Sequence, residues 1–137
     1  MRNAVKELLK QAEGELAMAK YLLQGGFYKG ACYHAQQSVE KSATAKLIEK
    51  GWDLERIHSI ERLIALGKEY RINYPLDDND AIFIDAIYRG RYPAEAGLLP
   101  LGEPVMEDAA KAVLIAEKML AFSTKKLKTN KTLNLET

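Results

Sequence analysis

The feature that most constrains this fold is a helical stripe of small side chains between Phe27 and about Lys50. Its small and apolar residues lie three or four positions apart, at Tyr28, Ala31, Cys32, Ala35, Val39, Ala43 and Leu47. Side chains with that spacing share one face of an α-helix. Because several of them are alanine or cysteine, a partner helix can approach closely. The pattern therefore predicts a helix at the centre of a bundle.

The same helix carries a dense polar set outside the stripe. Its members are Tyr33, His34, Gln37, Glu40, Lys41 and Thr44. So many polar groups are unusual for a helix expected in the middle of a bundle, because such a helix has little contact with water. We therefore expect candidate functional residues on this face.

The segment before the central helix, from about Arg2 to Gln24, has the same helical period. Its apolar positions are Val5, Leu8, Leu9, Ala12, Leu16, Ala19 and Leu23. Gly25 and Gly26 end this helix, since glycine adopts the left-handed cap conformation without steric cost. A connection this short predicts an antiparallel hairpin of two helices.

Three further helices are predicted downstream of Gly51 and a connector at 52–57. The first is a short helix after His58-Ser59, with Ile60, Leu63, Ile64 and Gly67 on its buried face. The second begins at the acidic residues Asp77, Asp78 and Asp80 and ends at about Tyr88. The third extends from about Pro104 to Ser123. Residues 71–75 should be extended, because proline pushes the preceding residue out of the helical region. The predicted fold is all-α, an antiparallel up-and-down bundle of four to five helices.

Length and pattern predict one domain followed by a tail. A chain of 137 residues suits a single core. We assign residues 1–124 to the bundle and 125–137 to a polar C-terminal tail, which contains four lysines and has lost the helical period. The loop between the fourth and last helices is long for so small a domain, and long loops are often functional.

Composition narrows the classes of function. Lys plus Arg number 20 against 19 Asp plus Glu, so no overall positive field attracts nucleic acid and any such binding needs a local patch. Cys32 is the single cysteine, which excludes an internal disulfide or a cysteine-based metal site. The sequence predicts no bound metal and no cofactor. No signal peptide or bilayer-spanning run is recognisable, so we expect a cytoplasmic protein.

The central helix and the following connector offer the first candidate ligand contacts. Tyr33, Gln37 and Lys41 lie four positions apart on one line of the helix, where they either contact a ligand or form hydrogen bonds between helices. His58 starts a helix after a turn. It is either a ligand contact or a capping or buried structural residue.

The turn after the fourth helix offers the remaining candidates, Arg89, Arg91 and Tyr92. Arginine suits phosphate because its planar fork makes paired, charge-assisted hydrogen bonds. A tyrosine beside it provides a surface on which a base can stack. The alternative is that Arg91 anchors the loop to a carboxylate such as Glu40.

Taken together, four segments resemble the HEPN domain, named for higher eukaryotes and prokaryotes nucleotide-binding. The segments are AQQSVEKSATAKLIEKG in the central helix, the pair His58-Ser59, the turn Tyr88-Arg-Gly-Arg-Tyr-Pro93, and GEPVMEDAAKAVLIAEKML in the last helix. The resemblance extends from about Ala4 to Phe122. It implies an antiparallel helical bundle, usually a homodimer. It also implies frequent partnership with a small nucleotidyltransferase encoded next door, in a toxin–antitoxin-like arrangement.

Many toxin members of the HEPN family are ribonucleases that carry an arginine, four to six residues and then a histidine on one helix. This motif is absent here. The arginine nearest before His58 is Arg56, two positions away, and only Arg2 precedes His34. The chain is more similar to a branch with the RYP turn and without the catalytic pair. That branch usually has a second lysine where this chain has Thr44. Lys41 therefore lacks the second lysine that would form a pair with it.

The sequence therefore favours a non-catalytic HEPN module that binds the phosphate of a nucleotide or nucleic acid. The expected nucleotide-binding residues are Tyr33, Lys41, His58, Arg89, Arg91 and Tyr92. Its expected partners are a second copy of the chain and a small nucleotidyltransferase. Two alternatives remain open, a metal-independent ribonuclease that uses His58 and Arg91 at a dimer interface, and a purely structural dimeric scaffold.

Overall fold

A computed structural model describes residues 3–53, 55, 57–88 and 103–136 of the chain. These residues form five helices, α1 (Asn3–Gln24), α2 (Tyr28–Glu49), α3 (Ile60–Glu69), α4 (Asp78–Tyr88) and α5 (Met106–Glu136). Helix α2 packs against each of the other four. The all-α antiparallel bundle predicted from the sequence is confirmed, with α2 as its central helix. Within the described residues, none of the helices has the length and apolar character that crossing a bilayer requires.

Helices α1 and α2 form the predicted antiparallel hairpin. Ser38 Oγ donates to the carbonyl oxygen of Ala12 at 2.8 Å, and His34 Nδ1 lies 2.7 Å from Oε1 of Glu15. Residues later in α2 therefore contact residues earlier in α1, as in an antiparallel pair. The hairpin turn relies on Gly26, whose φ of 82° lies in the left-handed region.

The central helix is buried on more sides than its apolar stripe predicted. The predicted stripe from Ala31 to Leu47 is buried throughout. Five polar side chains of α2 are buried as well, at Gln36, Ser38, Ser42, Thr44 and Lys46. The Lys46 ammonium lies 3.3 Å from Oε1 of Glu49 and over the ring of Phe122 on α5. Gln36, Ser38 and Lys46 have hydrogen-bond or ion-pair partners inside the bundle, which offset the cost of burying them.

Helix α5 corrects the prediction for the end of the chain. We predicted that the last helix stops at about Ser123 and that a non-helical tail follows, whereas α5 continues to Glu136. The prediction relied on loss of the apolar period after residue 124. A helix does not need that period where no proline or glycine interrupts it, and lysine and leucine are good helix formers.

Helix α3 ends in a Schellman motif with arginine where glycine is usual. The amide of Ile72 donates to the carbonyl of Gly67 at 2.8 Å, and that of Arg71 donates to Lys68 at 3.1 Å. Arg71 has a φ of 62°, so it is left-handed and not extended as predicted for residues 71–75. The equivalent position after α2 is Gly51, with a φ of 102°.

Replacing Arg71 with glycine is expected to stabilise the protein by about 1 kcal/mol. A residue with a Cβ pays roughly 1–2 kcal/mol to adopt this conformation, part of which returns as the greater entropy of glycine in the unfolded chain. Urea denaturation of the variant and the parent measures the difference. Gly51→Ala is the matched opposite, and it should destabilise by a similar amount. A destabilised Arg71→Gly variant would show that the arginine side chain makes a compensating contact.

Candidate functional site

The site begins with His58, which lies immediately before the first turn of α3. Ser59 is the N-cap of that helix, and its Oγ accepts a hydrogen bond from the amide of Arg62 at 3.2 Å. Serine is favoured here because its side chain satisfies one of the amides that the helix leaves without a partner. The cap fixes the backbone from which the His58 side chain projects.

A buried carboxylate on α4 holds the same turn from the other side. Asp85 accepts hydrogen bonds from Ser59 Oγ at 3.1 Å and from the amides of Ile60 at 2.5 Å and Glu61 at 3.1 Å. Only 2% of Asp85 is exposed. An anion at a helix N-terminus is stabilised by the helix dipole. Since Asp85 already occupies this terminus, the first turn of α3 is not available as a phosphate site.

A second carboxylate, on α2, holds the imidazole of His58. Nδ1 lies 3.2 Å from Oε1 and 3.3 Å from Oε2 of Glu40. An ionised carboxylate only accepts hydrogen bonds, so Nδ1 carries a proton, and in the neutral ring Nε2 is then the basic nitrogen. The buried amide of Gln36 donates to Glu40 at 3.3 Å and accepts from Gln37 at 2.6 Å. A chain of hydrogen bonds within α2 therefore orients the carboxylate that orients His58.

His58, Glu40 and Gln37 line a cleft of about 290 Å³ between α1, α2 and the connector before α3. Its lining residues are Leu8, Gln37, Glu40, Lys41, Thr44, Glu55, Ile57 and His58. The side chain of His58 is 47% exposed, whereas that of Glu40 is 17% exposed. The lining of the cleft thus includes an oriented imidazole, a lysine and a largely buried carboxylate.

The structure brings two of the predicted site residues together and separates a third. Lys41 and His58 line the same cleft. Tyr33 does not line it; its ring stands edge-on to His34, with centroids 5.1 Å apart. Tyr33 lies eight residues before Lys41 on α2, which is roughly 12 Å along a helix. Arg89, Arg91 and Tyr92 lie outside the described residues.

The second histidine of the chain is also held by a carboxylate. His34 Nδ1 lies 2.7 Å from Oε1 of Glu15 on α1, and both side chains are about one-quarter exposed. His34 lies outside the lining of the cleft. Among the described residues, no three His, Cys, Asp or Glu side chains converge in a way that could hold a metal ion.

Sequence reasoning missed Glu40, Gln36 and Asp85 as parts of this site. Glu40 was included in the polar set of the central helix and considered as an anchor for Arg91, but not as a partner of His58, which lies 18 positions away. Asp85 lies in a run of otherwise apolar residues of α4, IFIDAIY, and is 26 positions from Ser59. The isolated acid in an apolar run was the one available signal, because a buried carboxylate requires donors nearby.

Comparison with known sequences gives one family and one partial relative. The family described as "HEPN domain" matches residues 5–127. A segment of 46 residues is 46% identical to a Methanocaldococcus jannaschii protein named "Putative toxin MJ1304". That segment covers 34% of this chain and 30% of the relative. The match thus spans less than a third of the relative's length.

Two solved structures share the fold over nearly the whole chain. The crystal structure of TT1696 from Thermus thermophilus superposes with a TM-score of 0.72 at 26% identity, covering 91% of this chain and 99% of that one. ST0689, described as an archaeal HEPN homologue, has a TM-score of 0.68 at 28% identity, covering 92% and 98%. Both similarities extend over most of the helical bundle that forms the cleft.

Proposed function

Because the chain belongs to the HEPN domain family, we propose that it is a non-catalytic module that binds the phosphate of a nucleotide or nucleic acid. We further propose that it acts as a homodimer beside a small nucleotidyltransferase, in a toxin–antitoxin-like pair. The toxin name of the M. jannaschii relative supports this setting. The observation that carries the binding proposal is the cleft in which Lys41 and an oriented His58 lie together.

The charges of the cleft define what the ligand site needs. Its described lining contains Lys41 and His58 against the carboxylates of Glu40 and Glu55. Because Glu40 is engaged with His58, the lining retains one further lysine and one further acid, and these groups alone do not make a strongly positive site. Our proposal therefore assigns the main phosphate contacts to Arg89 and Arg91, with Lys41 and His58 as further donors.

We assign the stacking contact with the base of the ligand to a tyrosine. Tyr92 follows the arginines directly in sequence and is proposed to stack on a base bound with its phosphate at Arg91. Tyr33 is 48% exposed but lies two helical turns from Lys41. Only a ligand that extends along α2, such as an oligonucleotide, would reach it. Tyr33→Ala should therefore weaken binding of RNA and leave binding of a mononucleotide unchanged.

Replacing Arg91 or Lys41 with alanine is expected to weaken nucleotide binding by roughly tenfold or more each. A hydrogen bond to a charged group contributes about 1.5–3 kcal/mol, and 1.4 kcal/mol corresponds to a factor of ten. Calorimetric titration with ATP, ADP, AMP and a short RNA measures the affinities. Lys10→Ala is the control, since Lys10 is exposed on α1 and lies outside the cleft.

The outcomes of that titration separate the proposed roles. Unchanged affinity in Arg91→Ala, with Lys10→Ala also unchanged, would contradict the assignment of Arg91 to phosphate. Loss of the dimer in Arg91→Ala without an effect on any ligand would favour the structural scaffold. Light scattering after gel filtration, with and without a candidate nucleotidyltransferase, reports on both proposed partners.

The pairing of His58 with Glu40 favours one alternative, a metal-independent ribonuclease that uses His58 and Arg91. A carboxylate that fixes an imidazole through Nδ1 leaves Nε2 as the atom for acid–base catalysis. If so, RNA degradation by the purified protein should disappear in His58→Ala and persist in His34→Ala. Because His34 has a similar carboxylate partner outside the cleft, the two variants are closely matched. Activity that survives in His58→Ala would exclude this enzyme.

A further inference from the structure

Two helices fix the position of His58 by different means. The Glu40 carboxylate on α2 contacts the imidazole, and Asp85 on α4 binds the two backbone amides and the hydroxyl that follow His58. The first interaction orients the ring, whereas the second sets the location of the backbone that carries it. With the Asp85 contacts alone, the imidazole could rotate. With the Glu40 contact alone, the backbone of His58 could shift together with α3.

Ser59 transmits the hold of Asp85 to the His58 backbone. Its hydroxyl donates to Asp85 and accepts from the amide of Arg62. The hydroxyl thus links the carboxylate on α4 to the first turn of α3. Any displacement of Asp85 moves the residue bonded directly to His58.

The burial of Asp85 argues that this anchor has a specific purpose. A carboxylate removed from water loses hydration, and its hydrogen bonds offset that loss only when their geometry is good. The first turn of α3 already has a cap in Ser59, so a charged group is not needed to begin the helix. The carboxylate adds a directional contact that fixes α3 against α4 in one register. An apolar contact has no such directionality.

We propose that Asp85 is a positioning residue that holds His58 against Glu40 by tying the His58-Ser59 turn to α4. Its relevance to ligand binding rests on the proposed function, but the positioning itself does not. Asp85 lies on the helix that leads into Arg89, four residues later. The residue that places His58 is therefore close in sequence to the segment to which we assign phosphate contacts.

The experiment uses the ring nitrogens of the two histidines in the chain. Their ¹⁵N and ¹H NMR signals report the protonation and hydrogen bonding of each imidazole separately. Glu40→Gln and Glu15→Gln assign the signals, because Glu40 contacts His58 and Glu15 contacts His34. His34 then serves as an internal control, since it lies on α2 with its partner on α1.

In Asp85→Asn without ligand, the His58 ring signals are expected to shift toward those of Glu40→Gln, while the His34 signals stay in place. A purely structural role of Asp85 in packing would leave both sets unchanged in the folded variant. His58 signals that coincide with those of the parent protein would overturn the proposal. If Asp85→Asn does not fold, both histidines lose their dispersed signals, and Ser59→Ala decides.

Ser59→Ala keeps the Asp85 carboxylate and its two bonds to the backbone amides while it removes the bond to the hydroxyl. It should shift the His58 signals in the same direction by a smaller amount. No shift in Ser59→Ala would overturn the proposal in that case. A parallel titration with ATP separates this question from the proposed function. Failure of the parent protein to bind ATP or RNA contradicts the function, whereas the NMR result alone decides the positioning.

Discussion

Replacing Asp85 with alanine is expected to lower the free energy of unfolding by about 3 kcal/mol or more. The substitution removes three hydrogen bonds to a charged acceptor, each of which contributes about 1.5–3 kcal/mol, and it leaves the amides of Ile60 and Glu61 without that partner. Relaxation of the first turn of α3 toward water should recover part of the loss. Urea denaturation measures the change, when the variant and the parent show the same dependence of unfolding free energy on urea concentration.

Asp80→Ala is the matched control on the same helix. Asp80 is partly exposed in the first turn of α4, with Oδ1 3.9 Å from the ammonium of Lys111. A surface ion pair and a favourable place near the helix N-terminus are worth about 1 kcal/mol or less. If the Asp85 variant proves no less stable than the Asp80 variant, the carboxylate of Asp85 is not the anchor of α3.

Replacing Gly67 with alanine should destabilise the protein by about 1–3 kcal/mol, the usual cost of overfilling a packed core. A Cβ on Gly67 would lie 2.5 Å from Cε2 of Tyr74, so the ring must move. The ring is constrained at its other end, where the hydroxyl donates to the carbonyl of Ala43 at 2.6 Å. Burial raises the pKa of Tyr74, so the hydroxyl remains protonated and remains a donor.

Gly14→Ala is the control for Gly67→Ala. Gly14 lies inside α1, and a Cβ there would meet no other atom within 4 Å. The substitution should stabilise the helix by roughly 0.5–1 kcal/mol, since alanine loses less backbone entropy than glycine. Thermal unfolding of both variants gives opposite shifts in Tm. In a Tyr74→Ala background, the cost of Gly67→Ala should largely disappear, because the clash is with that ring. A cost that persists would place the clash elsewhere.

The helices that sequence predicted best are those with one buried face. The four apolar positions predicted for α3 are the four that it buries, because helical periodicity reports a division between core and water. In α2, which packs against all four other helices, the same logic identified the buried apolar stripe but not the rest of the buried surface. Its buried polar residues, such as Gln36 and Lys46, gave no periodic signal, since their partners are not set by the helical period.

The candidate site could be predicted only as a set of residue types. Lys41 and His58 were identified, and the structure places both in one cleft. Their arrangement depends on Glu40 and Asp85, whose contacts with the His58-Ser59 turn are set by the packing of α2, α3 and α4. No spacing along the chain encodes such contacts. For the same reason, Tyr33 lies on the predicted face of α2 but outside the cleft.

The central place of α2 has a consequence for how the protein opens in solution. Amide hydrogen exchange follows local and global opening, and amides at the centre of the packing exchange only on global unfolding. Helix α2 should therefore exchange most slowly. Helices α3 and α4 make their main contacts with each other and with α2, so they form a unit that can detach while the α1–α2 hairpin remains folded. Each such opening would carry His58 away from Glu40. The cleft would therefore open and close more often than the whole bundle unfolds.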